Sequence, residues 1–592
     1  MFNIDFEPVG RRGGCPDDQT LLDCARQLSV DIVSICGGVG ACGRCRVQIV
    51  AGEVSPLTFD EEAELTAREM QDHYRLACQC NPLSDVRVHV PAESLSAPQR
   101  TQIEGLEVDV TPEPPVRALN VKLTAPTLQT PTSDDANLCA ALGLPAGRID
   151  FQVLRGLAPQ LRKSDWEVCV GLRGDEIVAV GAPGTRWVGL AVDIGTTKIA
   201  GYLVDLETGK TLAARGIMNP QIAYGEDVVS RIVAASKTPA DAERLQALLA
   251  EALSQLAADL CAEIDADPQT IVEAVVVGNT AIHHLFLRLP VRQLGLAPYV
   301  PAVRAPVEIK ARDIGLRIAP GAYVVLLPNV AGYVGADHVA MLLATRIAQA
   351  EQTTLAIDIG TNTEICLNHQ GRLTSVSCAS GPAFEGAHIK YGMRAAPGAI
   401  EHVRISKGKL EIQTIGGEAP VGICGSGLLD VVAQLRLNDI LDRSGKMGDH
   451  ALIRREDGQA RFVLAERPDL DPITLSQKDV RELQLAKAAI RLGIQALAQA
   501  EGIAEADIDQ VIIAGAFGTF ISVESAITIG MLPPLPLERF KQVGNAAGTG
   551  ARLALVSLSQ RAEAARIALL DGYIELAAVP GFNRKFAEAT SL

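Results

Sequence analysis

Four cysteines near the start of the chain have types and spacing suited to holding a metal cluster. Cys36, Cys42 and Cys45 are separated by five and two residues, and a fourth thiol follows in Arg75-Leu76-Ala77-Cys78-Gln79-Cys80, after thirty-two intervening residues if it is Cys78. The first three lie in Cys36-Gly37-Gly38-Val39-Gly40-Ala41-Cys42-Gly43-Arg44-Cys45. Three thiolates converging from so short a stretch need a backbone folded tightly on itself, and glycine supplies φ > 0 without steric cost. With Cβ absent, backbone N–H groups also approach inorganic sulfide and stabilise a reduced cluster. Four-cysteine zinc sites usually pair two C-x2-C units, and this chain has one. The predicted chemistry is therefore one-electron transfer by a 2Fe-2S cluster, with Cys78 and Cys80 both in reach of the fourth position.

A second chemistry is written in Asp193-Ile194-Gly195-Thr196-Thr197-Lys198 and its echo Asp358-Ile359-Gly360-Thr361-Asn362-Thr363-Glu364. Each follows an apolar strand, and a strand, Gly-Thr turn, strand hairpin cradles phosphate with backbone N–H groups and hydroxyls. A carboxylate aimed at phosphates is tolerable mainly across a Mg2+ ion, which makes Asp193 and Asp358 the candidate metal-holding and catalytic acids. The nucleotide candidates are Gly195, Thr196, Thr197, Lys198, Gly360, Thr361, Asn362 and Thr363. To these are added Gly425 and Ser426 of Cys424-Gly425-Ser426-Gly427, expected just before a helix, and Gly515 and Gly518 of Ala514-Gly515-Ala516-Phe517-Gly518. A Walker-A loop is excluded, because Gly209-Lys210-Thr211 lacks the glycine five residues earlier. Gly278-Asn279-Thr280-Ala281-Ile282-His283-His284 follows a strand, but adjacent histidines on a helix face different ways, so a core or surface role outweighs a metal role. His388, Lys390 and the Asn219–Asp227 loop carry no assigned chemistry.

The elements that must position these groups read as a multidomain α/β chain. Residues 1–91 give a strand at Phe2–Phe6, a helix at 20–28, the strand Arg46–Val50, an acidic helix near 60–70 and the strand Val86–Val90, an order that suits a β-grasp ferredoxin. Residues 92–115, rich in Ser, Pro, Gln and Thr, read as a flexible linker. Residues 116–187 read as a small α/β middle domain with a hairpin about Arg173-Gly174-Asp175. Strands alternating with helices over 188–592, with two Asp-Ile-Gly-Thr copies, indicate a two-lobed duplicated domain. With 592 residues, 48% hydrophobic and 21% charged, the chain has room for several cores. A net charge of −16 with scattered Lys and Arg excludes a nucleic-acid footprint. The absence of an apolar leader or an eighteen-residue apolar run predicts no membrane span and a cytoplasmic location. Thirteen cysteines, an odd number, argue against a disulfide scaffold, so Cys15, Cys24 and the other cysteines outside the cluster loop are expected as small buried hydrophobes.

Three resemblances follow from these motifs. The Cys-Gly-Gly-x-Gly-x-Cys-Gly-x-Cys loop resembles ferredoxins that serve hydroxylases, and the likeness of Leu76-Ala77-Cys78-Gln79 to ferredoxin sequences implies Cys78 as fourth ligand. Residues 188–592 resemble the actin, sugar kinase and heat-shock chaperone ATPases, which implies ATP between two lobes. The combined order is similar to the reductive activators of corrinoid-dependent methyltransferases. That resemblance implies an ATP-hydrolysing reductase that returns a cobalt(II) corrinoid on a partner protein to cobalt(I). It further implies a low-potential electron donor upstream and a homodimer formed through the C-terminal domain. Competing readings are an ATP-driven activator of radical dehydratases, for which the matching cysteines are missing, and a ferredoxin fused to a nucleotide sensor that hydrolyses nothing.

Overall fold

The architecture is that of a computed structural model, which describes residues 1–592 apart from 8–10, 29, 31, 35, 92–93, 95–107, 109, 226, 387, 407, 457–458, 468–469, 516 and 519. At the N-terminus a five-stranded sheet has the spatial order Arg11–Cys15, Phe2–Glu7, Val86–His89, Arg46–Ala51, Tyr74–Leu76. Ile4 and Phe6 alternate inward from the first of these strands and meet Val47, Val86 and Val88 beneath the helix Leu21–Gln27. Alternation with period two places these side chains on one face.

The expected acidic helix is two helices, Phe59–Glu64 and Ala67–Gln71. Each has its own capping box, Thr58 with Glu61 and Thr66 with Glu69, so the second cap ends the first helix. Another expectation is corrected here: Cys15 and Cys24 form a disulfide, with Cα atoms 5.5 Å apart. The strand Arg11–Cys15 turns directly into the helix whose buried face carries Cys24, which brings the two sulfurs together. The remaining eleven cysteines are thiols.

Of the expected linker, 92–93, 95–107 and 109 lie outside the described residues, while its far end is held. Glu113 N–H donates to Val556 O at 2.8 Å, and Leu558 N–H donates to Glu113 O at 3.1 Å. The middle region is a three-stranded sheet, Val116–Lys122, Glu167–Arg173, Glu176–Gly181, covered by the helices Asp134–Ala141 and Phe151–Lys163. It is tied to the next unit by charge. Arg173 pairs with the fully buried Glu273 at 3.0 Å, and Lys310 pairs with Asp150 at 3.0 Å.

The remainder forms two lobes of matching design. The first lobe's sheet runs Thr211–Met218, Lys198–Asp205, Val188–Ile194, Ile271–Gly278, Tyr323–Leu326, Val307–Lys310. The second runs Phe540–Gly544, Gln510–Ala514, Thr354–Ile359, Thr363–His369, Arg372–Cys378, Gly572–Ile574. In both, three antiparallel strands are followed by a strand that returns parallel to the first, Ile271–Gly278 or Gln510–Ala514. The helices Ala336–Thr345 and Ala546–Val556 pack together between the lobes, close enough that a Cβ on Gly550 would stand 2.0 Å from Ala340 O. His338, Cys366 and Asp571 are buried at the same junction, with Ser375 Oγ 2.7 Å from both His338 Nε2 and Asp571 Oδ2. Hydrogen bonding through Ser375 makes this group a brace between the lobes.

Candidate functional site

In the cysteine loop, Gly37, Gly38, Gly40 and Gly43 all have positive φ, 60–102°. These turns gather the sulfurs. Contact with Cys42 and then Cys78 holds the Cys36 thiol far below its usual range, and contact with Cys36 and then Cys45 pushes Cys78 far above it. Cys42 is likewise raised by Cys36, and Cys45 lowered by Cys78. The sulfurs are thus linked in a chain, Cys42 to Cys36, Cys36 to Cys78 and Cys78 to Cys45, and four thiols are the donor set of a 2Fe-2S cluster. Cys80 turns instead into the core, where burial pushes its thiol up to about 12.

The strand that delivers Cys78 is pinned by a buried pair. Arg75 Nε and Nη2 donate to Glu61 at 2.9 and 2.8 Å, and Leu76 N–H donates to the same carboxylate at 2.9 Å. Glu61 is fully buried, and these donors satisfy its carboxylate oxygens there.

Between the lobes lies a cavity of about 230 Å³. Asp193 and Asp358 line it, as do Gly195, Thr196, Thr197, Lys198, Gly360, Thr361, Asn362, Gly425, Ser426 and Gly515. Two of the nucleotide candidates do not. Thr363 Oγ1 faces Ser380 Oγ at 2.9 Å inside the second lobe, and Gly518 is packed where a Cβ would meet Ala514 O at 2.3 Å. Gly425 and Ser426 form the first turn of the helix Gly425–Leu437 rather than preceding it, since Cys424 takes the N-cap position. His283 and His284 lie in the core. His284 bonds Thr280 O at 2.8 Å and accepts Ala302 N–H at 2.9 Å, while burial pulls His283 down to about 3.

Four acids converge in the cavity. Burial pushes Asp193 up to about 6 and both Asp337 and Asp358 up to about 7, with Asp193 adding repulsion in the last two. Glu364 is raised by burial and then by Asp337 and Asp358. Carboxyls that line one cavity and repel one another are suited to a divalent cation, which exchanges with their protons. Lys198 is pulled down to about 8 by burial, against the opposing charge of Glu385.

Sequence reasoning passed over Asp337, Glu364, Glu385 and Asn545. Glu364 had a signal in strand register, since it stands directly across from Asp358. Asn545 had none: it donates to Asp193 Oδ2 at 3.0 Å across a separation of 352 residues. Asn219 and Arg231 are bracing residues, holding the carbonyls of Gly195 and Thr196. Phe384 and Phe517 stack at the cavity wall, ring centres 4.7 Å apart. A planar base fits against such a surface.

Comparison with known proteins covers nearly the whole chain. A 2Fe-2S iron-sulfur cluster binding domain matches residues 5–83, a RACo linker region 105–186, a RACo middle region 188–350, and the C-terminal domain of RACo, the ASKHA domain, 352–592. The corrinoid activation enzyme RamQ of Eubacterium limosum is 33% identical over 598 residues, 95% of each chain. The Co(II) methylated amine-specific corrinoid protein reductase of Methanosarcina barkeri is 27% identical over 421 residues, 66% of this chain and 72% of its own. A solved structure, a reductive activator for corrinoid,iron-sulfur protein, is 35% identical with a TM-score of 0.72, covering 100% of this chain and 98% of the other.

Proposed function

The chain belongs to the family of reductive activators of corrinoid proteins, and from that premise we propose that it passes one electron to the cobalt(II) corrinoid of a partner protein, yielding cobalt(I), at the expense of ATP. The observation that carries the reading is the likeness over 95% of the chain to a corrinoid activation enzyme, in a chain that holds both a four-thiol loop and an acid-lined cleft. Cys36, Cys42, Cys45 and Cys78 would hold the cluster, with Arg75 and Glu61 fixing the segment that brings Cys78. When bound, the cluster supplies a one-electron couple at roughly −400 mV or higher. If the corrinoid lies about 200 mV lower, the transfer is uphill by more than three decades, roughly 4–5 kcal/mol. A nucleotide offsets such a deficit only by differential affinity for two conformations, which a two-lobed cleft provides.

In the cleft, the two hairpin turns would take the phosphates. Asp193, Asp337, Asp358 and Glu364 would share Mg2+, and Phe384 and Phe517 would pack the base. Lys198 would give up burial strain by pairing with phosphate. An upstream low-potential donor supplies the electron. Leu558, Leu569 and Leu570, exposed on the helix Leu558–Leu570, offer an apolar face for a homodimer of the C-terminal domain. No described helix is long and apolar enough to cross a membrane, and beside the Cys15–Cys24 disulfide the seven cysteines outside the cluster set stay thiols, which a cytoplasmic setting suits.

The test is anaerobic reconstitution followed by chemical reduction and Mg-ATP with a cobalt(II) corrinoid protein. Cobalt(I) should appear in the absorption spectrum only with ATP. A Cys78→Ser chain should lose the cluster's visible bands, while Cys80→Ser keeps them. Equal cluster content in both variants, or cobalt reduction indifferent to ATP, would refute the assignment.

A further inference from the structure

The turn at Glu385 and Gly386 touches both sites. Glu385 accepts from Thr197 Oγ1 at 3.1 Å and from Thr361 Oγ1 at 2.6 Å, so one carboxylate spans both hairpins where the reading above places nucleotide phosphates. The next residue faces the other way. Gly386 O accepts from Arg44 Nη2 at 2.5 Å, and Ile389 O accepts from the same group. Arg44 stands between Cys42 and Cys45 in the cysteine loop. Just past these carbonyls the turn is anchored, for Lys390 N–H donates to Asp479 Oδ1 at 2.8 Å.

The first lobe holds the same loop from the opposite side. Arg26 donates to Ala223 O and lies 6.0 Å from the centre of the Tyr224 ring. A Cβ on Gly37 would come within 3.4 Å of Tyr224 O. The cysteine loop is thus seated across the cleft mouth with one contact set on each lobe.

We infer that Glu385 makes this seating depend on nucleotide: phosphates and the Glu385 carboxylate compete for Thr197 and Thr361, and displacement of Glu385 withdraws the carbonyls that hold Arg44. The inference rests on the ATP reading above. Like charges do not share one pair of donors, so phosphate entry and the present position of Glu385 are exclusive. Gly386 follows Glu385 directly in the chain and its carbonyl holds Arg44, so movement at Glu385 reaches that contact through one peptide unit. The seated state keeps the cluster loop against the ATPase lobes, and the nucleotide-bound state frees it to meet a partner. Linkage requires the reverse as well: loosening the seat must tighten nucleotide binding by the same factor.

The experiment titrates Mg2+ and adenosine 5′-(β,γ-imido)triphosphate into the anaerobically reconstituted full chain by calorimetry, with the radius of gyration followed by small-angle X-ray scattering. The analogue should expand the unsubstituted chain. Arg44→Ala and Arg26→Ala should each be expanded beforehand and bind the analogue about fivefold tighter or more. Arg26→Ala lies off the cluster loop and keeps the test decisive if Arg44→Ala loses its visible absorption. Glu385→Gln removes the charge and keeps one acceptor oxygen, while its amide NH2 donates to the other threonine hydroxyl, so it should stay compact without nucleotide and also bind more tightly. Analogue binding with unchanged affinity in both arginine variants, or without expansion of the unsubstituted chain, overturns this inference alone. Absence of binding in every chain overturns it together with the ATP reading.

Discussion

The two hairpins repeat one sequence pattern but are built to different electrostatic ends. In the first, Asp193 faces Ala200 across the strands and is bonded by Asn545, and the turn carbonyls are held by Asn219 and the fully buried Arg231. In the second, Asp358 faces Glu364, and the turn is held by Ser380, whose Oγ lies 3.3 Å from Thr361 O and 2.9 Å from Thr363 Oγ1. One hairpin is braced by a cation and an amide. The other doubles its acid. The turn between the strands also differs by one residue, since Ile194 pairs with Ile199 whereas Ile359 pairs with Thr363. Duplication therefore supplied two equivalent backbones, and the side chains packed behind them differ, with paired acids only on the second copy.

That difference is open to attack at both hairpins. The largest effect is expected for Asp358→Asn, which should lower Mg2+-dependent ATP hydrolysis by about 100-fold or more, while Asp193→Asn costs nearer tenfold because Asn545 and the remaining acids persist. Steady-state turnover over a Mg2+ titration measures this, and equal losses would break the comparison.

Next in size is Arg231→Ala, which strands the carbonyls of Thr196 and Gly225 in the core. A loss of about 2–4 kcal/mol in unfolding free energy is expected, with no counterpart for Ser380→Ala, which removes only neutral hydrogen bonds worth about 1 kcal/mol.

A pH series sharpens the contrast further. Burial raises Asp193 to about 6 and Asp358 to about 7. A carboxyl raised by folding stabilises the fold while protonated, and that contribution is lost as pH climbs through the raised value. In EDTA the contribution of these acids to Tm should fall between about pH 4 and 7, Mg2+ should restore it most above that range, and Asp358→Asn should flatten the fall more than Asp193→Asn. A flat Tm in the parent chain would remove the electrostatic argument.

The smallest effect is at the wall of the second hairpin. Gly515 has φ 91°, and a Cβ there would stand 2.5 Å from Ile359 O. Gly515→Ala should cost about 1–3 kcal/mol by thermal unfolding and leave cluster content unchanged.

Much of this was legible before any coordinates. The cysteine loop is contiguous, so its spacing carried its chemistry, and the two Asp-Ile-Gly-Thr copies announced two lobes because each follows an apolar strand. The strand Arg11–Cys15 was not legible, since Arg-Arg-Gly-Gly has little strand propensity and is held by pairing with Phe2–Glu7. The split of the acidic helix was hidden because Thr66 is a cap only in its local fold.

By itself the sequence determined which residue types could ligate, cradle phosphate or form strands, because those properties belong to side chains and to neighbours a few residues away. The tertiary structure alone decided which acids meet. Asp337, Glu364 and Asn545 reach Asp193 and Asp358 through strand register and helix packing, and Glu385 reaches Thr197 across 188 residues. Contacts of that range depend on how two sheets close on the helices between them, and burial at that junction raises Asp193, Asp337, Asp358 and Glu364 together.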